Sequence, residues 1–536
     1  MRLRIVCICV GLATSGMSWA AKTHPGGEHA SAFATSADCI ACHSGVRDAA
    51  GEDVSIAPAW RATIMANSAR DPYWQAAVRR ETLDHPEASA EIQDTCSTCH
   101  MPMARFDAAL AGRKGEVFAN LPPDAPSHVE AFDGVSCSVC HQINPVNLGT
   151  PESYDGGFKI DTSAAFGTRP MFGPYAIEQG RAALMRSSAQ FTPSTGPHVQ
   201  QSTLCATCHT LYTRSVGGAE GGDLPEQVPY EEWLHSDYRD TRSCQSCHMP
   251  EVPGSVPISS VLGEPREHVS RHTFRGGNAF MLGLLNKYRD ELGVRAPSAE
   301  LDEAVRDTHR YLATSAATVA IESAQRRGNS LAVDVAVASI TGHKLPTGYP
   351  ARRAWLHLTV RDANGAVLFE SGRVQPDGSI MGNDNDVNPD AFERHYEEIG
   401  TQDQVQIYES IMADAAGKPT TALLRGVTYA KDNRLLPRGF DKTTAPAQVA
   451  VLGDAARDVD FAGGGDRVRY RIALAGRAAG ALRVDVELLY QPIGYRWAKN
   501  LEAYDAFETR RFTGYYADTI GSAPAAQLAE AHAVVP

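Results

Sequence analysis

Cysteine and histidine recur in one arrangement along this chain: two cysteines three positions apart, with a histidine directly after the second. The arrangement occurs as Cys39, Cys42 and His43; Cys96, Cys99 and His100; Cys137, Cys140 and His141; Cys205, Cys208 and His209; and Cys244, Cys247 and His248. Two thiols at this spacing can add across the two vinyl groups of a porphyrin, and the adjoining imidazole then lies under the iron as its proximal ligand. Disulfides, zinc ribbons and redox-active dithiols also use paired cysteines, but none requires a histidine after every second cysteine. The repeated pattern therefore reads as five covalent haem c sites, with no residue marked out as catalytic.

The remaining cysteines, Cys7 and Cys9, fall in an N-terminal stretch with the three parts of a secretory signal. These are Arg2 and Arg4, the apolar run from Ile5 to Leu12, and the small-residue end Ser18-Trp19-Ala20, so residues 1–20 are expected to be removed. No later segment approaches the run of about 18 apolar residues that a membrane helix needs. The expectation is a periplasmic or extracellular protein with no integral membrane segment in its mature chain.

What each iron does depends on its sixth position, because two strong ligands make a carrier and an open position makes a site for chemistry. His128, His198 and His235 precede the third, fourth and fifth motifs by seven to nine residues, and each would more naturally serve a neighbouring haem than its own. His272 stands before Gly276 and Gly277, glycines that would let backbone approach a flat macrocycle. His343 lies in a turn framed by Gly342, Pro346 and Gly348, where it is either solvent-facing or a rigidly held ligand that clamps the following domain onto the haems. Met65 is either core packing or a thioether ligand. His85, His268 and His309 are weaker candidates.

The elements that must position these groups divide the chain by composition. Its 536 residues exceed one core, and 43% hydrophobic with 21% charged residues describes a globular protein. The expected domains are a pentahaem part over 21–277, a helical bridge over 278–329, a β-sandwich-like part over 330–495 and a tail of coil and short helix over 496–536. The fold class is thus α+β. In the haem half, attachment points only roughly 40 to 70 residues apart leave too little chain for separate cores, so the haems must fill much of the interior. In the bridge, Met281, Leu284, Leu285, Tyr288 and Leu292 form one helical stripe and Leu301, Val305, Thr308, Leu312 and Ala316 another, with Ser298 a plausible cap. Beyond residue 330 the period becomes two, as in Leu331 to Val337, Trp355 to Val360 and Leu482 to Leu488, with Asn364-Gly365 marking a hairpin.

The five motifs, the segment from Tyr230 to His235 and the stretch from His272 to Gly277 resemble the multihaem c-type cytochrome superfamily. That group includes electron carriers of nitrifiers, hydroxylamine oxidoreductase and pentahaem nitrite reductase. The stretch from Gly342 to Gly348, followed by Arg352 and Arg353, is similar to haem proteins in which a β domain follows the cytochrome part. The resemblance implies haem, not a substrate. It departs from pentahaem nitrite reductase, whose active haem has lysine in its motif, since all five motifs here end in histidine.

Two further features have alternative readings. Gly382 to Asp390 is dense in oxygen donors and is either a solvated acidic loop or a calcium site, although it lacks the glycine and final glutamate of an EF-hand loop. Arg352 and Arg353 would neutralise haem propionates or meet a partner. A net charge of −13 argues against nucleic acid as a ligand and favours cationic redox partner proteins. The expected function is electron transfer between partners through closely spaced haems. The alternatives are a reductase or oxidase with one open haem acting on a small nitrogen or sulfur compound, and a homo-oligomer that builds a haem-lined filament.

Overall fold

The computed structural model describes residues 31–165, 167–216, 223–474 and 480–536. The expected signal segment lies outside the described residues. In the haem half, the first long helix is α1 (Pro72–Asp84), and its start follows from local chemistry. Pro72 occupies the first turn, where a missing N–H costs nothing, and the Asp71 carboxylate accepts from the amides of Tyr73 and Trp74. Helix α2 (Ser89–His100) runs back against α1 and ends in the second motif. The other motifs sit on short turns, Ser36–Ile40, Cys137–Cys140, Ser202–Ala206 and Cys244–His248, joined by irregular chain.

The bridge forms two packed helices, α3 (Ala279–Lys287) and α4 (Ser298–Ser315). Met281, Leu284 and Leu285 on one, and Leu301 and Leu312 on the other, are buried as their spacing requires. Helix α4 begins at Ser298 itself, so Pro297 and not Ser298 holds the cap position.

Two sheets follow. The smaller contains β1 (Ala317–Arg327), β2 (Ser330–Ser339), β5 (Glu398–Ile399) and β8 (Gly465–Ala473), in the order β5-β8-β2-β1. The larger contains β3 (Arg353–Arg361), β4 (Val367–Ser371), β6 (Ile407–Ala413), β7 (Thr428–Asp432), β9 (Leu482–Gln491) and β10 (Ala526–Val535). Its order is β7-β6-β3-β9-β10, with β4 hairpinned onto β3 across the Asn364-Gly365 turn. Alternation aims Leu331, Val333, Val335 and Val337 from one sheet and Leu356, Leu358, Val484, Val486 and Leu488 from the other into one shared core.

The C-terminal segment, expected as coil and short helix, contains a strand as well. It forms helix α5 (Phe507–Ile520) and strand β10, which pairs with β9 over nearly its whole length. Alternation in Ala526–Val535 is written mainly in alanine, a poor strand former, so its strand character comes from the exposed edge of β9 and not from propensity. Helix α5 packs on α1, where the Arg79 guanidinium grips the Glu508 carboxylate at 2.8 and 2.9 Å.

Candidate haem-binding cavity

A helical turn brings residues i, i+3 and i+4 to one face, which is the spacing of each motif's two cysteines and histidine. The geometry is visible in the backbone: the amides of His43, His141 and His209 bond back to the carbonyls of Cys39, Cys137 and Cys205 at 3.1, 3.1 and 2.9 Å. All five motifs, thiols and imidazoles together, line one cavity of 2410 Å³. One fifth of that volume, about 480 Å³, lies within the range of roughly 300–1,000 Å³ typical of a cofactor pocket.

Thiols of different motifs meet across this cavity. Cys39 lies beside Cys137, Cys208 beside Cys99, and Cys205 beside Cys244. Cys140 is close enough to Cys205 and Cys208 to bear on both. The attachment points therefore form a connected set in which the first motif adjoins the third and the third adjoins the fourth. The fourth motif adjoins both the second and the fifth. Asp133 helps to fix the first contact: its buried carboxylate accepts from the Ser36 amide and hydroxyl, each at 2.7 Å, four residues before Cys137. Burial pushes the Cys96 thiol up, and the Cys140 thiol up to about 11. Both are therefore neutral thiols at neutral pH.

The imidazoles are prepared as neutral nitrogen donors. Nδ1 of His43, His100 and His141 lies 2.7, 3.2 and 2.5 Å from the carbonyls of Ile258, Ser68 and Phe172, and that of His248 pairs with the Arg275 carbonyl. A carbonyl only accepts, so the proton sits on Nδ1 and Nε2 keeps its lone pair for a metal. Burial holds His100 and His209 down at about 4, hence uncharged at neutral pH. Trp74, on α1, stacks on the His100 ring at 4.4 Å and 4°.

Two of the expected distal residues face a proximal imidazole. The ring centres of His141 and His272 are 6.3 Å apart with planes 17° from parallel, and those of His248 and His343 are 6.2 Å apart at 14°. A metal–imidazole bond is about 2 Å and the ring centre lies roughly 1.1 Å behind its nitrogen, so imidazoles sharing one iron have centres roughly 6 Å apart. Nδ1 of His272 and His343 bonds the carbonyls of Ser270 at 3.0 Å and Lys344 at 2.8 Å, again freeing Nε2. Among the described residues, two imidazoles face each other at this distance only in these two pairs, and not at His43, His100 or His209. The residues present thus fit covalent haem, and His272 and His343 stand opposite His141 and His248 at the spacing that two imidazoles on one metal ion would have.

His343 is held by both halves of the chain. Its neighbour Lys344, fully buried, reaches Asp432 at 2.7 Å, while the buried Glu232 carboxylate accepts from the Lys344 amide at 3.1 Å and the Thr347 hydroxyl at 2.5 Å.

The other candidates do not face a motif histidine in this way. Met65 lines the cavity, and its carbonyl accepts from Val135 at 3.0 Å. His128, His198 and His235 do not line it. His128 stacks on Phe132, His198 spends Nε2 on the Ile143 carbonyl at 2.9 Å, and His235 bonds the Glu231 carbonyl at 2.8 Å. His268 stands at the rim beside Glu251, whereas His85 and His309 lie outside the cavity. Gly277 does permit a close approach, but to the Tyr490 hydroxyl, which a Cβ there would meet at 2.8 Å. The Arg352 guanidinium lines the cavity and donates to the Thr347 carbonyl at 2.7 Å, with no carboxylate partner among the described residues, which leaves it suited to a propionate. Arg353 is instead buried against Asp386 at 2.8 Å. In the acidic loop, Asp386 is thereby engaged, and Asp390 lies 3.6 Å from Lys418.

Trp74, Asp133 and Glu232 were not singled out by the sequence, whereas Arg352 was. Each of the three acts across a sequence separation or within a helix face where no local pattern distinguishes it from ordinary packing.

No family model matches the chain, and no curated protein matches it. Among solved structures, a penta-heme cytochrome c552 from Thermochromatium tepidum matches with a TM-score of 0.52 at 16% identity, over 94% of this chain and 98% of that one. The fold is similar to that of a multihaem cytochrome c. The likeness extends through the β half as well as the motif-bearing half, because nearly all of both chains is covered. None of the helices among the described residues is long and apolar enough to cross a membrane.

Proposed function

We propose that this chain is an exported pentahaem c-type cytochrome that passes electrons between redox partners through closely packed haems. The observation that carries the reading is the meeting of thiols from different motifs across one cavity. Haem, once attached, supplies one-electron exchange. The chain's part is to hold five attachment points in contact, to present neutral Nε2 donors, to bury them from water and to place Arg352 where a propionate carries charge. Its acidity suits a cationic partner at the surface.

The second reading, a reductase or oxidase with an open iron, is favoured by His43, His100 and His209, which have no facing imidazole among the described residues. Low-temperature EPR of the oxidised, haem-loaded protein separates the two. Low-spin signals accounting for all haem support the carrier, whereas a high-spin component of a fifth or more of the iron supports an open site and rejects the carrier reading in its simple form. A haem-to-protein ratio near five tests the count itself.

A further inference from the structure

Four charged side chains lie buried together where the motif-bearing half meets the β half, and their arrangement bears on His343. They are Glu232, Lys344, Asp432 and Arg434. Their signs alternate: the Glu232 carboxylate lies 2.8 Å from the Arg434 guanidinium, Arg434 donates to Asp432 at 2.8 and 2.9 Å, and Asp432 accepts from the Lys344 ammonium at 2.7 Å. Glu232 comes from the short helix Pro229–Leu234 ahead of the fifth motif. Asp432 and Arg434 come from the end of β7 and the residues just beyond it, and Lys344 from the turn after β2. Two acids and two bases balance, so the set is complete without a bound ion.

Such a network is a poor stabiliser. Desolvation of the charges offsets most of their attraction, and apolar side chains of similar volume commonly serve as well. What buried charges do supply is a fixed position and a strong local field. Both act on His343. Its Nδ1 donates to the Lys344 carbonyl at 2.8 Å, and the Lys344 amide and Thr347 hydroxyl donate in turn to the Glu232 carboxylate. The turn that carries the imidazole is therefore fastened to Glu232 at two points. The same carboxylate is near enough to bear on the ring electrostatically, favouring positive charge there, while Arg352 opposes it from the cavity.

We propose that Glu232 is the positioning residue for His343 and that its fixed negative charge weights the haem of the fifth motif toward the ferric state, a role that rests on reading His343 as the ligand opposite His248. Reduction of that iron adds one electron and makes or breaks no bond, so the charge of the surroundings enters the equilibrium directly. Ferric iron carries one more positive charge than ferrous iron, and a carboxylate held nearby in a water-poor interior stabilises it. Hydrogen bonds behind a ligating imidazole act in the same sense, by fixing the ring and raising its basicity. Glu232 thus inclines the haem beside the β half to release its electron and not to retain it.

The test uses the full-length, haem-loaded protein at pH 8, titrated electrochemically and followed at the haem absorption bands. Glu232→Gln keeps an oxygen to accept from Lys344 and Thr347 but loses the charge. About one fifth of the haem is expected to show a ferrous-to-ferric ratio roughly tenfold higher at a fixed potential, equal to about 59 mV for a one-electron couple, while the rest moves far less. Arg434→Gln removes the countercharge and is expected to shift the same fifth in the opposite direction. A merely structural role would loosen the turn in both variants and shift them alike, so shifts of the same sign, or no shift in either, overturn the proposal. Carbon monoxide binding by His343→Ala checks the ligand reading separately. If that variant opens about one fifth of the haem while both network variants titrate as the wild type does, the role of Glu232 alone fails; if it opens none, the ligand reading fails and the proposal with it. Where one network variant does not fold, the sign of the shift in the other decides.

Discussion

Replacing His343 with alanine tests whether the β half takes part in haem ligation. The imidazole of His343 faces that of His248 with 6.2 Å between ring centres, a gap that alanine's single methyl group cannot cross. The loop should survive the change, because the Lys344–Asp432 contact and the Glu232 bond to the Lys344 amide do not involve the removed ring. One iron in five then loses its second ligand, so carbon monoxide should bind about one fifth of total haem beyond whatever the wild type binds. Carbon monoxide difference spectra, scaled to a pyridine haemochrome count, measure this directly, and EPR should show the same fraction moving from low spin to high spin. Free imidazole should reverse both changes by refilling the vacated position. His235→Ala is the control, since His235 lies outside the cavity and should leave the spectra unchanged. An unchanged spectrum in the His343 variant, with haem content intact, would refute the reasoning that the ring spacing marks a shared iron.

Other perturbations reach different parts of the account. Replacing Cys205 and Cys208 together with alanine should lower haem from about five to about four per chain by haemochrome assay. Burial holds the Glu226 carboxyl up at about 7 against an ordinary 4.5. The folded chain therefore keeps a proton there that the unfolded chain releases, so stability should fall as pH rises from about 4.5 to 7, by at most about 3 kcal/mol. Glu226→Gln should flatten that fall in denaturation midpoints compared at pH 5 and pH 7. Leu488→Ala, in a fully buried position of β9, should cost about 3 kcal/mol by denaturant titration, and a loss below about 1 kcal/mol would contradict its place in the shared core.

The five motifs that line the cavity were legible because their spacing is local: two thiols and an imidazole fall within one helical turn. The alternating valines of β2 and the Asn364-Gly365 turn were legible for the same reason. Distal ligation was only partly so. Proximity to a motif along the chain drew attention to His128, His198 and His235, yet the imidazoles that face motif histidines come from much later, His272 opposite His141 and His343 opposite His248. A ligand's position in sequence is unconstrained when the cofactor itself bridges the gap. Strand β10 was hidden for another reason: its alanines acquire strand geometry from β9, a partner no window of sequence contains.

The packing of α5 on α1 has a consequence for the order in which the protein can be made. Arg79 and Glu508 are separated by 429 positions, so the first long helix waits for almost the last stretch of chain to be synthesised before its outer face is covered. Final closure of that face comes from the end of the polypeptide, so a chain cut before Phe507 would lack the helix that covers α1.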